Sequence, residues 1–157
     1  MDNLQRMIKL ADEFFGMRND PAQISVGEST TEKLKMIHPA TMSEERTAEG
    51  PIAWILVIPT TRTVMEQFLT KQITERELLE RTPIPASYDA LYLCSALVLP
   101  EYRGKGIARR LAASAIRSIQ KDHPLRDLFY WGFSREGSKL ASALAAEFGL
   151  PLHVRAS

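Results

Sequence analysis

Apolar positions along this chain recur with two periods, and the switches between them predict its elements. Leu4, Met7, Ile8, Ala11, Phe14 and Phe15 are spaced by threes and fours, one face of a helix that Asn19-Asp20-Pro21 would stop. Residues 34–37 read as a short strand before His38-Pro39, and 40–50 as loop or a short helix. Residues 52–58 are a continuous apolar run closed by Pro59, rich in β-branched and aromatic side chains, the pattern of a buried strand. Thr63 and Glu66, then Thr74 and Glu77, have the spacing of capping boxes ahead of Phe68-Leu69 and Leu78-Leu79, which predicts two short helices ended at Thr82-Pro-Ile-Pro85. A strand is expected over 91–99. A helix follows over 106–120 with the stripe Ile107, Ala108, Leu111, Ala112, Ala115, Ile116 and Ile119. A third strand is expected over 128–133. Ser134 would cap a last helix reaching Phe148, stopped by Gly149 and Pro151, with a short strand at 152–154. The pattern is mixed α and β, with strand, helix and strand across 91–133.

Composition narrows the classes of function. A length of 157 residues suits one domain spanning 1–157, since two would each bury a poor core. Apolar residues at 45% and charged residues at 25% fit a globular chain and exclude disorder. A formal net charge of +1 gives no global field toward nucleic acid or anionic lipid, so any anion must be caught locally. The apolar runs 52–58 and 91–99 fall well short of the roughly 20 residues that cross a bilayer. With Cys94 as the single cysteine and no signal-peptide pattern, the expectation is a cytoplasmic protein with no membrane, nucleic-acid or metal partner.

The local anion site is legible at the step from strand to helix, Val98-Leu-Pro-Glu-Tyr-Arg-Gly-Lys-Gly-Ile-Ala-Arg-Arg-Leu111. Gly104 and Gly106 sit where the chain must turn, and without a Cβ their backbone N–H groups can approach a ligand. The first N–H groups of a helix lack internal partners and carry partial positive charge, worth about 0.3–1 kcal/mol toward an exposed anion. Arg103, Lys105, Arg109 and Arg110 add full charges, and a diphosphate suits the set. The spacing lacks the metal-binding hydroxyl of the nucleoside triphosphate loop. It also puts Arg109 where the dinucleotide fingerprint needs its third glycine.

Arg103-x-x-Gly106-x-Ala108, approached through Val98, Pro100 and Tyr102, resembles the hallmark of the GNAT superfamily of N-acetyltransferases, over a core of about 91–150. The resemblance implies a GNAT-like bent mixed sheet flanked by helices, with a helical insertion between two central strands and a shortened C-terminus. The strands at 91–99 and 128–133 would splay apart. Acetyl-CoA, the co-substrate, would lay its pantetheine arm in the gap against backbone near Ala96, Leu97 and Val98. Its pyrophosphate would sit on N–H groups from Gly104, Lys105, Gly106, Ile107 and Ala108 to Arg109, with Ser134 and Ser138 as donors to the arm. The partner would be a small-molecule or peptide amine, and the chain would pair as a homodimer.

The pattern also departs from the family. Aligned on Gly149, Ser138 stands at the usual asparagine, Ala141 at the alanine, and Ala145 at the tyrosine that protonates departing thiolate. Some relatives carry a glutamate where Tyr92 stands, so Tyr92 is the candidate base or water-holding residue. Cys94, His123 and His153 read as structural, His38 as a solvated loop histidine, Tyr130 and Trp131 as core or slot lining, and Glu66 and Glu77 as capping residues. Two functions remain: an N-acetyltransferase using direct attack by a primary amine, and an acyl-CoA-binding sensor or partner subunit without catalysis.

Overall fold

The run at 52–58 forms the middle of an 11-residue strand, Gly50–Thr60, in a sheet whose neighbours explain its unbroken apolarity. The computed structural model describes residues 1–18 and 28–156. Five strands occur among them: β1 (Met42–Thr47), β2 (Gly50–Thr60), β3 (Ala90–Val98), β4 (Asp127–Trp131) and β5 (Leu152–Arg155). They lie in the order β1-β2-β3-β4-β5. The first three run antiparallel, and β4 and β5 join in parallel. Six helices flank them: α1 (Asn3–Arg18), α2 (Glu28–Ile37), α3 (Arg62–Leu69), α4 (Glu75–Arg81), α5 (Ile107–Asp122) and α6 (Arg135–Phe148).

Each face of the sheet has its own core. Helices α5 and α6, the crossovers of the two parallel connections, cover one face. There Ala112, Ala115, Ile116 and Ile119 of α5 meet Ile55, Val57, Leu91 and Leu128. Burying each of those isoleucines is worth about 1.5–3 kcal/mol. Helices α2, α3 and α4 cover the other face, where Leu34, Phe68 and Leu78 meet Ile58, Tyr92 and Phe129. The helical insertion expected between two central strands is α3 with α4, joining β2 to β3.

Several expectations change. Residues 34–37 end a helix, not a strand: Leu34 and Ile37 are three apart and both buried, a spacing too short to reveal its period. Residues 40–50, expected as loop or helix, carry β1, a charged edge strand. Its Met-Ser-Glu-Glu-Arg-Thr composition hides the strand signal, because an edge with one wet face needs few apolar residues. Thr63 is not a cap. Thr61 caps α3, its Oγ1 accepting from Val64 N at 3.3 Å, and Glu66 pairs with Arg62. The box at Thr74 and Glu77 is present with both bonds. On α1 the buried face is Met7 with Leu10, Ala11 and Phe14, while Leu4 and Ile8 lie about half exposed. The stop expected at Asn19-Asp20-Pro21, and the side chain of Phe15, lie outside the described residues. Strand β4 ends at Trp131, two residues before the expected limit.

Candidate functional site

Strands β3 and β4 pair from Ala90 opposite Asp127 to Leu93 opposite Tyr130, over the beginning of β3 and all but the last residue of β4. Beyond that pair β3 continues to Val98 on its β2 side alone. The register with β2 shifts between Leu56 and Val57, and Cys94 is the extra residue. Such a bulge bends a strand and sharpens its twist, which carries the second half of β3 away from β4. Leu99 N donates to Ile52 O, so by the alternation of an antiparallel ladder Leu97 also points its backbone toward β2. Ala96 and Val98 point theirs into the gap. Val98 O there accepts from Arg103 Nε at 2.9 Å.

The chain leaves β3 through a single 3-10 turn, Pro100–Tyr102. Arg6 of α1 grips Glu101 with two bonds, 2.7 and 2.6 Å. That hydrogen-bonded guanidinium holds the Glu101 carboxyl down to about 2. Gly104 and Gly106 follow with φ of 76° and 77°, the left-handed region that a side chain disfavours. A Cβ on Gly104 would meet nothing within 4 Å, and one on Gly106 only Arg110 Nη1 at 3.9 Å. The space above the loop is therefore open. Gly106 caps α5 without a side-chain bond, so the first N–H groups of that helix keep their capacity for an anion. Arg110 Nη1 folds back onto Lys105 O at 3.2 Å, and Lys105 Nζ lies 5.6 Å from the Tyr102 ring centre. The exposed Arg109 is turned toward α6, pairing with Glu147 at 3.2 Å.

On the same face, Ser134 caps α6 by accepting from Gly137 N, and Ser138 accepts from the Tyr130 hydroxyl at 3.2 Å. Tyr130 belongs to the last β3–β4 pair, so its phenol stands where the strands part. Ala145, at the position of the usual tyrosine, packs on the α5–α6 core.

The opposite face holds a second set of polar groups. Tyr92 is fully buried and donates from its hydroxyl to Glu75 Oε2 at 2.5 Å; Cys94 Sγ lies 3.7 Å from the same oxygen. Glu75 is also fully buried. It comes from the first turn of α4, and its only sequence signal was a place beside the Thr74 cap. On the same face, the Arg155 guanidinium lies in the corner of two perpendicular rings, 4.5 Å from Phe68 and 4.6 Å from Trp131. Among the described residues, its buried Nε and Nη1 have no hydrogen-bond partner. Stacking on a ring contributes about 0.5–2 kcal/mol. A buried donor left unmade costs about 1–3 kcal/mol. The rings therefore do not complete this cation's needs. Sequence reasoning missed Arg155 because a lone arginine in a short C-terminal strand carries no spacing signal.

The histidines lie elsewhere. His38, expected solvated, is instead buried and bonds Asp122 at 2.7 Å, His123 accepts from Tyr88 N at 3.3 Å, and His153 bonds the buried Asp127 at 2.9 Å. The first two stand at the far end of α5 from the glycine loop.

The family model described as the Acetyltransferase (GNAT) family matches residues 42–148, well over half of the chain. It begins at β1, far upstream of the stretch whose motif is readable by eye. No curated protein matches the chain. With a parting of β3 from β4, a glycine loop entering α5 and this match, the chain belongs to the GNAT acetyltransferase family.

Proposed function

We propose that the protein is a single-domain N-acetyltransferase that uses acetyl-CoA and a primary amine. The observation that carries this reading is the open glycine loop at the end of a strand parted from its neighbour. The pyrophosphate lies on the backbone N–H groups from Gly104 through Gly106, Ile107 and Ala108 to Arg109, with Lys105 and Arg110 adding charge. Arg103 acts through its bond to Val98, fixing the exit of β3. The pantetheine amides bond to the gap-facing groups of Ala96 and Val98. Leu97, its backbone turned to β2, packs beneath with Ile107. Ser134 and Ser138 border the arm from α6.

The amine nitrogen attacks the thioester carbonyl, the carbon–nitrogen bond forms, and the carbon–sulfur bond breaks. An ammonium acceptor loses one proton before attack and the attacking nitrogen a second as the amide forms; one of the two protonates the thiolate and the other leaves to solvent. An alkyl ammonium of pKa ~10.4 loses its proton at pH 7 at a cost of roughly 4.6 kcal/mol. Tyr92, bonded to Glu75, is the group on the amine's side of the gap. Tyr130, held by Ser138 where the strands part, is the donor that stands in for the tyrosine absent at Ala145.

Calorimetric titration with acetyl-CoA tests the cofactor assignment. Wild type should bind, and a folded Arg103→Glu, Gly106→Glu variant should not. Lys105→Glu, which leaves the backbone of the loop intact, should weaken binding. A wild type that does not bind acetyl-CoA would overturn the reading. Binding with no free coenzyme A released across a broad amine panel would favour the sensor instead, the reading that Ala145 recommends.

A further inference from the structure

Arg155 is a cation whose surroundings leave it incomplete. Its guanidinium lies in the corner of two perpendicular rings, 4.5 Å from Phe68 and 4.6 Å from Trp131; among the described residues its buried Nε and Nη1 have no hydrogen-bond partner and no carboxylate forms an ion pair with it. The carboxylate of Glu75, on the same face, is engaged by the Tyr92 hydroxyl. Trp131 and Arg155 are register partners at the ends of β4 and β5, one residue beyond the pair at which β3 and β4 part. Alternation along β4 puts Phe129 and Trp131 on the α3–α4 face, and Leu128 on the face of α5, the helix that the glycine loop opens. On the acetyl-transfer reading, a thioester entering from the loop side leaves the α3–α4 face, where Arg155 lies, for the acceptor.

We infer that Arg155 binds an anionic group on the acceptor, and that the acceptor is an amine carrying its own carboxylate, of the amino-acid class. This rests on the acetyl-transfer reading above. A guanidinium fits a carboxylate by charge and by planar donors, and the two rings hold this one in place while excluding water. A neutral amine would leave the buried nitrogens without partners, so the site selects for the anion as well as for the amine.

The test pairs each of the twenty standard L-amino acids with its carboxamide, as acceptors for acetyl-CoA. Wild type should turn over at least one acid roughly tenfold or more faster in kcat/KM than its amide. Arg155→Met should erase that preference by raising KM for the acid and leaving the amide unchanged. Arg155→Lys should keep part of it. A second readout needs no turnover: in a Trp54→Phe background the fluorescence of Trp131 should respond to the preferred acid and not to its amide. Equal rates for acid and amide, or acid and amide equally affected in Arg155→Met, would overturn the inference. So would a silent Trp131 with no acid used. Calorimetry with acetyl-CoA on the same samples separates the two failures. Intact cofactor binding with no acid preference defeats only the acceptor assignment, whereas absent cofactor binding defeats both.

Discussion

Tyr130 and Ala145 show how a residue's neighbourhood changes its meaning. In sequence, Ala145 marks a missing acid and Tyr130 is one aromatic among several in a strand. In the fold, Tyr130 ends the β3–β4 pairing and its hydroxyl donates to Ser138 on the cofactor face. A positioned acid or base typically contributes 10²–10⁴-fold. Tyr130→Phe should therefore lower kcat by about that factor while leaving acetyl-CoA affinity within about twofold. Steady-state kinetics check it; an unchanged kcat would leave the thiolate to water. Ser138→Ala, which removes only the anchor, should cost less. The cofactor loop was legible because glycine, arginine and proline each have one reason to stand where they do. Glu75 and Arg155 were not, because a buried charge is recognised by what surrounds it, and their partners are 17 residues or more away in the chain.

At the scale of elements, the capped helices α3 and α4 give a direct comparison. Thr74 and Glu77 satisfy each other's backbone donors, whereas Thr63 sits inside α3, two residues past the Thr61 cap. Thr74→Ala should cost about 0.5–2 kcal/mol, Thr61→Ala a similar amount, and Thr63→Ala much less, as read by urea denaturation. The Thr74 box was legible because spacing and chemistry agree over four residues. Strand β1 was not, since its pairing to β2 is a long-range property that a charged edge does not announce. The far end of α5 supplies a pH test. Burial pushes the His123 imidazole below its ordinary value, and the nearby His38 adds to this while Asp122 opposes it. Its Nδ1 accepts from Tyr88 N, which requires the neutral ring. A lowered folded pKa means the unfolded chain binds the proton more readily. The contribution of His123 is thus full above about pH 6.5 and is lost as pH falls below that toward the folded value. Stability measured between pH 7.5 and 5.5 should fall with acid in wild type, and less steeply in His123→Asn. Equal slopes would show that another group carries the acid sensitivity.

For the whole molecule, the glycine loop is where its layers meet. Strand β3 delivers the chain to it, α5 leaves from it, and the Arg6–Glu101 pair ties it to α1, whose Met7 packs on Ile52 and Leu97. A ligand on this loop bears on α1 as well as on β3 and α5 and should stabilise them together. Binding to the native state alone adds RT ln(1 + [L]/Kd), about 2.7 kcal/mol at a hundredfold excess over Kd. For a chain of 157 residues each kcal/mol raises Tm by about 2–4 °C. Acetyl-CoA at that excess should therefore raise Tm by about 5–10 °C in a single transition, followed by circular dichroism. Coenzyme A should raise it by a similar amount, since both share the diphosphate and pantetheine. The Arg103→Glu, Gly106→Glu variant should show no shift with either. A wild-type Tm unmoved by both ligands would mean that the loop holds no coenzyme, and that the parted strands serve another ligand. A shift with acetyl-CoA alone would instead locate the recognition at the acetyl group, in the gap between β3 and β4.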